Sequence, residues 1–180
     1  ALKGTGEFMT KVALLGNAGG GKSTLCKALS KAKGLPVYQL DKIQWNPGWV
    51  PTPVDEFNEL HDSIVEKEKW IIDGMAGLDS IDKRLEAADT IIYVDHQLWV
   101  HYWWASKRQF MCLFRDRPDF IEGCPMLPKT WELAKMIWQI NKYLRPILLE
   151  IIEKHGEGKQ VFHIRSPKEL AHFRSVQCAF

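Results

Sequence analysis

The run Gly16-Asn17-Ala18-Gly19-Gly20-Gly21-Lys22-Ser23 constrains this chain more than any other feature. It satisfies G-x-x-x-x-G-K-[ST] at every fixed position. The apolar stretch "KVALLG" (11–16) leads into it and reads as a buried strand. Lys22 to Lys33 follows it and reads as a helix, with Leu25, Ala28 and Leu29 on one face. Glycines between a strand and a helix let successive backbone N–H groups turn inward with no Cβ in the way. The start of the helix adds its positive end. A glycine-rich turn without a ligand needs neither flanking element, so the context favours a phosphate cradle. In such a cradle Lys22 is expected to reach the β and γ phosphates of a nucleotide and Ser23 to offer its hydroxyl to Mg²⁺. Thr24 is the next contact, to the α phosphate.

The rest of the chain repeats the alternation. "LPVYQL" (35–40), "WIID" (70–73), "TIIYVD" (90–95) and "QVFHIR" (160–165) read as further strands. They are apolar almost throughout, as strands of a parallel sheet covered on both faces are. Thr52 to Lys67 reads as a helix, with Pro53, Asp55 and Glu56 suited to its first turn. Two more helices are expected near 97–114 and from about Thr130, the second interrupted at Arg145-Pro146 because proline cannot donate to the helix ladder. The expected fold class is α/β, three layers around a five-stranded parallel sheet.

With 180 residues the chain has room for one domain with a real core. Residues 1–8 look like an expression-tag remnant, leaving 9–180 as the domain. Twenty-four basic against 22 acidic side chains give a net charge of +2, too balanced to indicate a nucleic-acid or membrane partner by itself. The apolar run after Met9 is too short for a signal core or a membrane span, so a cytoplasmic location is expected. Cys26, Cys112, Cys124 and Cys178 are scattered, without the close spacing of a zinc site, and read as reduced thiols. A GTPase is disfavoured, because the one Asn-Lys, "NKYL" (141–144), lies in an expected helix and lacks the aspartate. No L-S-G-G-Q signature of a transport ATPase is present.

Other residues complete a candidate site. Asp73 ends the third strand and could order the water shell of Mg²⁺, or simply form a turn with Gly74. Asp41, at the end of the second strand, would face the ligand crevice, or cap a helix. Lys107, Arg108, Arg115 and Arg117 cluster on and after one helix; arginines there could stabilise a phosphoryl group in transfer, or form a solvated basic face. Trp45 and Trp49 could stack on a base or pack under a loop.

The stretches "LDKIQWNPGW" (40–49), "WIIDG" (70–74), "ADTIIYVD" (88–95) and "RPDFIEGCP" (117–125) resemble the bacterial topology modulation (FlaR-type) proteins, relatives of adenylate and shikimate kinases. The resemblance covers almost the whole chain from Met9. It implies a P-loop nucleoside-monophosphate-kinase-like fold with a helical lid near 109–128. It also makes Asp73 the Mg²⁺-side aspartate, Arg108 the arginine that meets ATP, and Arg115 and Arg117 lid arginines. Adenylate kinases carry F-P-R after the strand-D-G, with the arginine on the acceptor phosphate. Here Met75-Ala76-Gly77 follows without an arginine; Arg84 is the next one, and whether it takes that part is open, as is AMP as the acceptor.

The expectation is therefore an ATP- and Mg²⁺-dependent kinase acting on a nucleoside monophosphate or similar small acceptor. Gly16–Thr24 would hold the donor; Asp41, Trp45, Trp49 and Arg84 would flank the acceptor. Asp41 would accept a proton if the acceptor is a hydroxyl and would only bind or orient if it is a phosphate. The alternative is an ATP-binding regulator acting with DNA, its footprint the basic residues at 107–117 interleaved with Phe110, Phe114 and Phe120.

Overall fold

The strands in chain order are β1 (Lys11–Gly16), β2 (Val37–Gln39), β3 (Trp45–Asn46), β4 (Val50–Pro51), β5 (Trp70–Asp73), β6 (Thr90–Val94) and β7 (Gln160–Ile164). Five of them form one sheet in the order β2-β5-β1-β6-β7, and every neighbouring pair is parallel. The other two, β3 and β4, make a small antiparallel hairpin. The structure is a computed structural model and describes residues 9–112 and 127–178. Arg115, Arg117, Phe114, Phe120, Cys124, the suspected tag and most of the expected lid lie outside the described residues.

Eight α-helices flank the sheet among the described residues: α1 (Lys22–Lys33), α2 (Leu40–Gln44), α3 (Val54–Val65), α4 (Leu78–Ala87), α5 (Leu98–Cys112), α6 (Thr130–Gln139), α7 (Arg145–His155) and α8 (Pro167–Gln177). Alternate residues of β1 explain the two cores. Val12 and Leu14 face α1 and α8, where they join Leu25, Leu29, Leu170 and Phe173. Ala13 and Leu15 face the opposite layer, with Phe57 of α3, Ile81 and Leu85 of α4, and Leu148 of α7. This is why the strands read as continuous apolar runs: both faces of the sheet are covered. Leu14 has no exposed surface, so Leu14→Ala is expected to cost about 2–5 kcal/mol.

Three local features depart from the sequence expectation. The second strand stops at Gln39, because Leu40 opens α2, and Asp41 lies in the first turn of that helix, where its charge suits the dipole. The sequence signalled nothing between the third and fourth strands, yet α4 fills it; Ile81 and Leu85 are its buried stripe, too short for a period to stand out. Arg145-Pro146 does not break the helical rod. The turn before it, Ile140–Leu144, widens to a π turn, with the Arg145 N–H donating to the Ile140 carbonyl. Pro146 then falls in the first turn of α7, where its missing donor is not needed.

All five sheet strands end on the same edge. Leu14 is level with Asp73, Gly16 with Val94, and Gln39 with Asp73. Because β1 lies between β5 and β6, the chain leaving β1 emerges at the point where ligands of open α/β sheets bind.

Candidate active site

A cavity of about 800 Å³ opens at this edge. One end is formed by Gly16, Ala18 to Thr24, Trp104 and Arg108. The other is formed by Gln39, Asp41, Lys42, Gln44, Trp45 and Trp49. Asp73 and Gly74 to Ala76 make its floor, and Lys129, Glu132, Leu133, Met136, Ile140 and Leu144 line its remaining side. The structure thus brings the phosphate-loop residues, Asp73, Arg108, Asp41, Trp45 and Trp49 onto one cavity. It leaves out two expected members, Asn17 and Arg84.

The loop is shaped by its glycines and anchored by two side chains. Gly19 sits at φ +70°, and a Cβ there would come within 2.6 Å of the His101 carbonyl, so only glycine fits. Gly21, at φ +79°, precedes the first turn of α1. Asn17 is buried behind the loop: its Oδ1 accepts from the Ala18 N–H at 2.8 Å, and its Nδ2 donates to the Ile137 carbonyl at 2.7 Å. Asn17 therefore ties the loop to α6 and contributes through its backbone. His101 Nδ1 donates to the Ala18 carbonyl at 2.9 Å, and burial lowers its pKa to about 4. The loop accordingly rests on a neutral imidazole. No sequence signal marked His101; an isolated histidine inside a helix has no motif spacing.

Lys22 Nζ donates to the Asn17 carbonyl at 2.8 Å, arching over the loop it belongs to. Ser23 Oγ donates to Asp73 Oδ2 at 3.4 Å. Asp73 is only 6% exposed, and its Oδ1 has no hydrogen-bond partner among the described residues. Burial raises the Asp73 pKa; Lys22 opposes that, while Asp41 adds to it. A buried carboxylate oxygen left open beside a serine hydroxyl fits a hard cation, which would supply the missing positive charge. No cluster of three or more His, Cys, Asp or Glu suited to a metal exists among the described residues.

Across the cavity, Asp41 and Lys42 are exposed on α2. The β3–β4 hairpin presents Trp45 and Trp49 edge to face, with ring centroids 5.8 Å apart. Thr52 pins the hairpin, donating from Oγ1 to the Ile43 carbonyl at 2.6 Å and from N to the Gln44 carbonyl at 2.9 Å. Trp49 carries φ +63°, uncommon for a bulky residue. Arg84 is not an acceptor-facing cation here. It is fully buried on α4, behind the floor, donating to the Gly74 and Met75 carbonyls. From the proposed DNA footprint, Lys107 and Phe110 are exposed on α5.

Behind the π turn, Arg145 clamps Asp95 with two bonds, 2.7 and 2.9 Å, and His163 Nε2 meets the same carboxylate at 2.8 Å. Burial alone would raise the Asp95 pKa; the His163 and Arg145 bonds overcome it and hold it at about 2. This clamp fixes the residue next to Leu144, which lines the cavity.

Cys26 and Cys178 are free thiols. No helix among the described residues is long and apolar enough to cross a membrane.

No protein-family model matches the chain, and no curated protein matches it. Among solved structures it is similar to a sugar kinase from Janibacter sp. HTCC2649 in an unliganded structure, at 13% identity and TM-score 0.50, covering 94% of each chain. It is also similar to shikimate kinase from Acinetobacter baumannii in complex with shikimate, at 11% identity and TM-score 0.52, covering 93% of each chain. These likenesses support no topology-modulation name. At such identities they are likenesses of fold: this chain has an α/β fold similar to that of these kinases.

Proposed function

We propose that this chain is an ATP-dependent small-molecule kinase that transfers the γ-phosphoryl group of MgATP to a nucleoside monophosphate or a similar small acceptor. The observation that carries this reading is the Ser23–Asp73 pair on the floor of one cavity that runs from the phosphate loop to Asp41. The names of the two similar structures, a sugar kinase and a shikimate kinase, support the same reaction class.

Phosphoryl transfer needs positioning and charge neutralisation more than covalent help. The backbone N–H groups of Gly16–Thr24 hold the donor phosphates. Phosphate oxygens displace the Asn17 carbonyl as the partner of the Lys22 ammonium, which then neutralises charge on the transferring group. Mg²⁺, when bound, screens the phosphate charge; Ser23 and Asp73 would hold it. Arg108 faces the same space from α5, and Arg115 and Arg117 are proposed to add their charge to it. Asp41, Trp45 and Trp49 flank the acceptor. A hydroxyl acceptor attacks the γ-phosphorus as the bond to the β-γ bridging oxygen breaks, and its proton passes to Asp41. A phosphate acceptor needs no base, and Asp41 then only orients it.

ATP consumption against a panel of nucleoside monophosphates, nucleosides and small hydroxyl metabolites tests the proposal. Turnover that requires one of these compounds supports it; ATP binding with no turnover on any class contradicts it.

A further inference from the structure

Arg84 has no exposed surface, yet no carboxylate among the described residues forms a salt bridge with it. Its Nη1 donates to the Gly74 carbonyl at 3.1 Å and its Nη2 to the Met75 carbonyl at 2.8 Å. Its Nε is buried with no hydrogen-bond partner among the described residues. A guanidinium held by two carbonyls keeps most of its desolvation cost, and burial pulls its pKa down accordingly. For packing alone, an apolar side chain of the same volume would serve as well or better.

The two carbonyls belong to the cavity floor. Gly74 is at φ +132° and Ala76 at φ +53°, so both ends of the segment use backbone space that L-residues rarely adopt. A Cβ on Gly74 would lie 2.9 Å from Leu40 Cβ, so the segment is also pressed against α2. Backbone of this kind persists only where its surroundings over-determine it. A planar fork with two parallel donors does so; a lysine, with one rotating ammonium, does not reproduce it. The residue just before the segment is Asp73.

His61 of α3 lies within electrostatic reach of Arg84. It is fully buried, and its Nδ1 lies 3.1 Å from Asp62 Oδ1, which places the ring proton on Nδ1. Its Nε2 has no hydrogen-bond partner among the described residues. Burial keeps the ring neutral, and the Arg84 charge acts in the same direction. Arg84 is thus held by two carbonyls, and its charge acts on His61 and on the Asp73 carboxylate.

We infer that Arg84 is a positioning residue: it braces the Gly74–Ala76 floor and, through it, sets the aim of the Asp73 carboxylate toward Ser23 and a bound Mg²⁺. The consequence for Mg²⁺ rests on the kinase reading; the bracing itself does not.

The test compares Arg84→Met and Arg84→Lys with wild type in two measurements. One is the affinity for a nonhydrolysable ATP analogue with Mg²⁺ and with EDTA. The other is amide hydrogen exchange at residues 74–77 against that of β1. In Arg84→Met the gain in affinity conferred by Mg²⁺ should fall about tenfold or more, the scale of a lost supporting contact, while affinity in EDTA stays within about twofold of wild type. Exchange at 74–77 should rise while β1 stays protected. Arg84→Lys should lie between, and it carries the test if the methionine variant does not fold. Unchanged exchange at 74–77 in both variants overturns the proposal. So does an equal loss of affinity with and without Mg²⁺, or a rise in exchange shared with β1. A wild-type protein that binds no nucleotide overturns the kinase reading instead, and the exchange arm still decides the bracing.

Discussion

Ser23 Oγ and Asp73 Oδ2 lie 3.4 Å apart although fifty residues separate them in sequence. The parallel pairing of β1 with β5 creates this relationship. It sets Asp73 level with Leu14, two residues before the phosphate loop begins, so the first turn of α1 passes over the end of β5. The Oδ1 of Asp73 is buried beside this pair with no hydrogen-bond partner among the described residues. If this pair holds Mg²⁺, Asp73→Asn should weaken binding of the ATP analogue in Mg²⁺ about 10- to 100-fold and leave binding in EDTA near wild type. Titration calorimetry under both conditions measures the difference.

The loop tolerates no side chain at Gly19. Gly19→Ala must hold an L-residue at φ +70°, costing about 1–2 kcal/mol, and its Cβ would sit 2.6 Å from a backbone carbonyl that α5 holds in place. Nucleotide affinity should fall by more than tenfold, with a far smaller effect on the folded sheet. Affinity and thermal midpoint measured on one sample separate the two effects.

Asp41→Asn distinguishes the two acceptor chemistries. If the acceptor is a hydroxyl, losing the base should lower kcat by about 10²–10⁴-fold. If it is a phosphate, kcat should stay within about tenfold and KM should carry the change. Steady-state kinetics on the acceptor found in the panel decides.

The Asp95 clamp predicts an acid limit to stability. Its folded pKa, about 2, lies below the ordinary carboxylate value of about 3.9. Its contribution is therefore complete above pH ~4 and is lost as pH falls toward 2. Because Arg145 is partly exposed, on the order of 1–2 kcal/mol is expected from the pair. Arg145→Ala should lower the urea midpoint at pH 7, and the gap to wild type should shrink between pH 4 and 2.

The donor half of the site was legible because it is local. A strand, four glycines, a lysine and a helix are contiguous, and the structure reproduces β1 and α1 to the residue. The five sheet strands were legible because burial on both faces makes each a run of apolar residues. The acceptor half was not, because it depends on partners distant in sequence. Arg84 reads as an available cation until α4 folds it behind the floor, and α4 itself spans too few turns to announce its period. Asp41 reads as a strand end until β2 stops at Gln39. Asn17 reads as one more loop residue, whereas its amide reaches across to Ile137, 120 positions away. Arg145-Pro146 reads as a break because proline forbids an α ladder, but a π turn one residue earlier absorbs it.

The central claim is that the Lys22 loop binds MgATP for phosphoryl transfer, and the direct measurement is nucleotide affinity and acceptor-dependent transfer in wild type beside Lys22→Ala. The expected result is transfer abolished in the variant, with an unchanged circular dichroism spectrum and thermal midpoint, since Lys22 is only partly buried and its ammonium donates, among the described residues, to a carbonyl of its own loop. A Lys22→Ala protein that transfers phosphate at the wild-type rate would contradict the account.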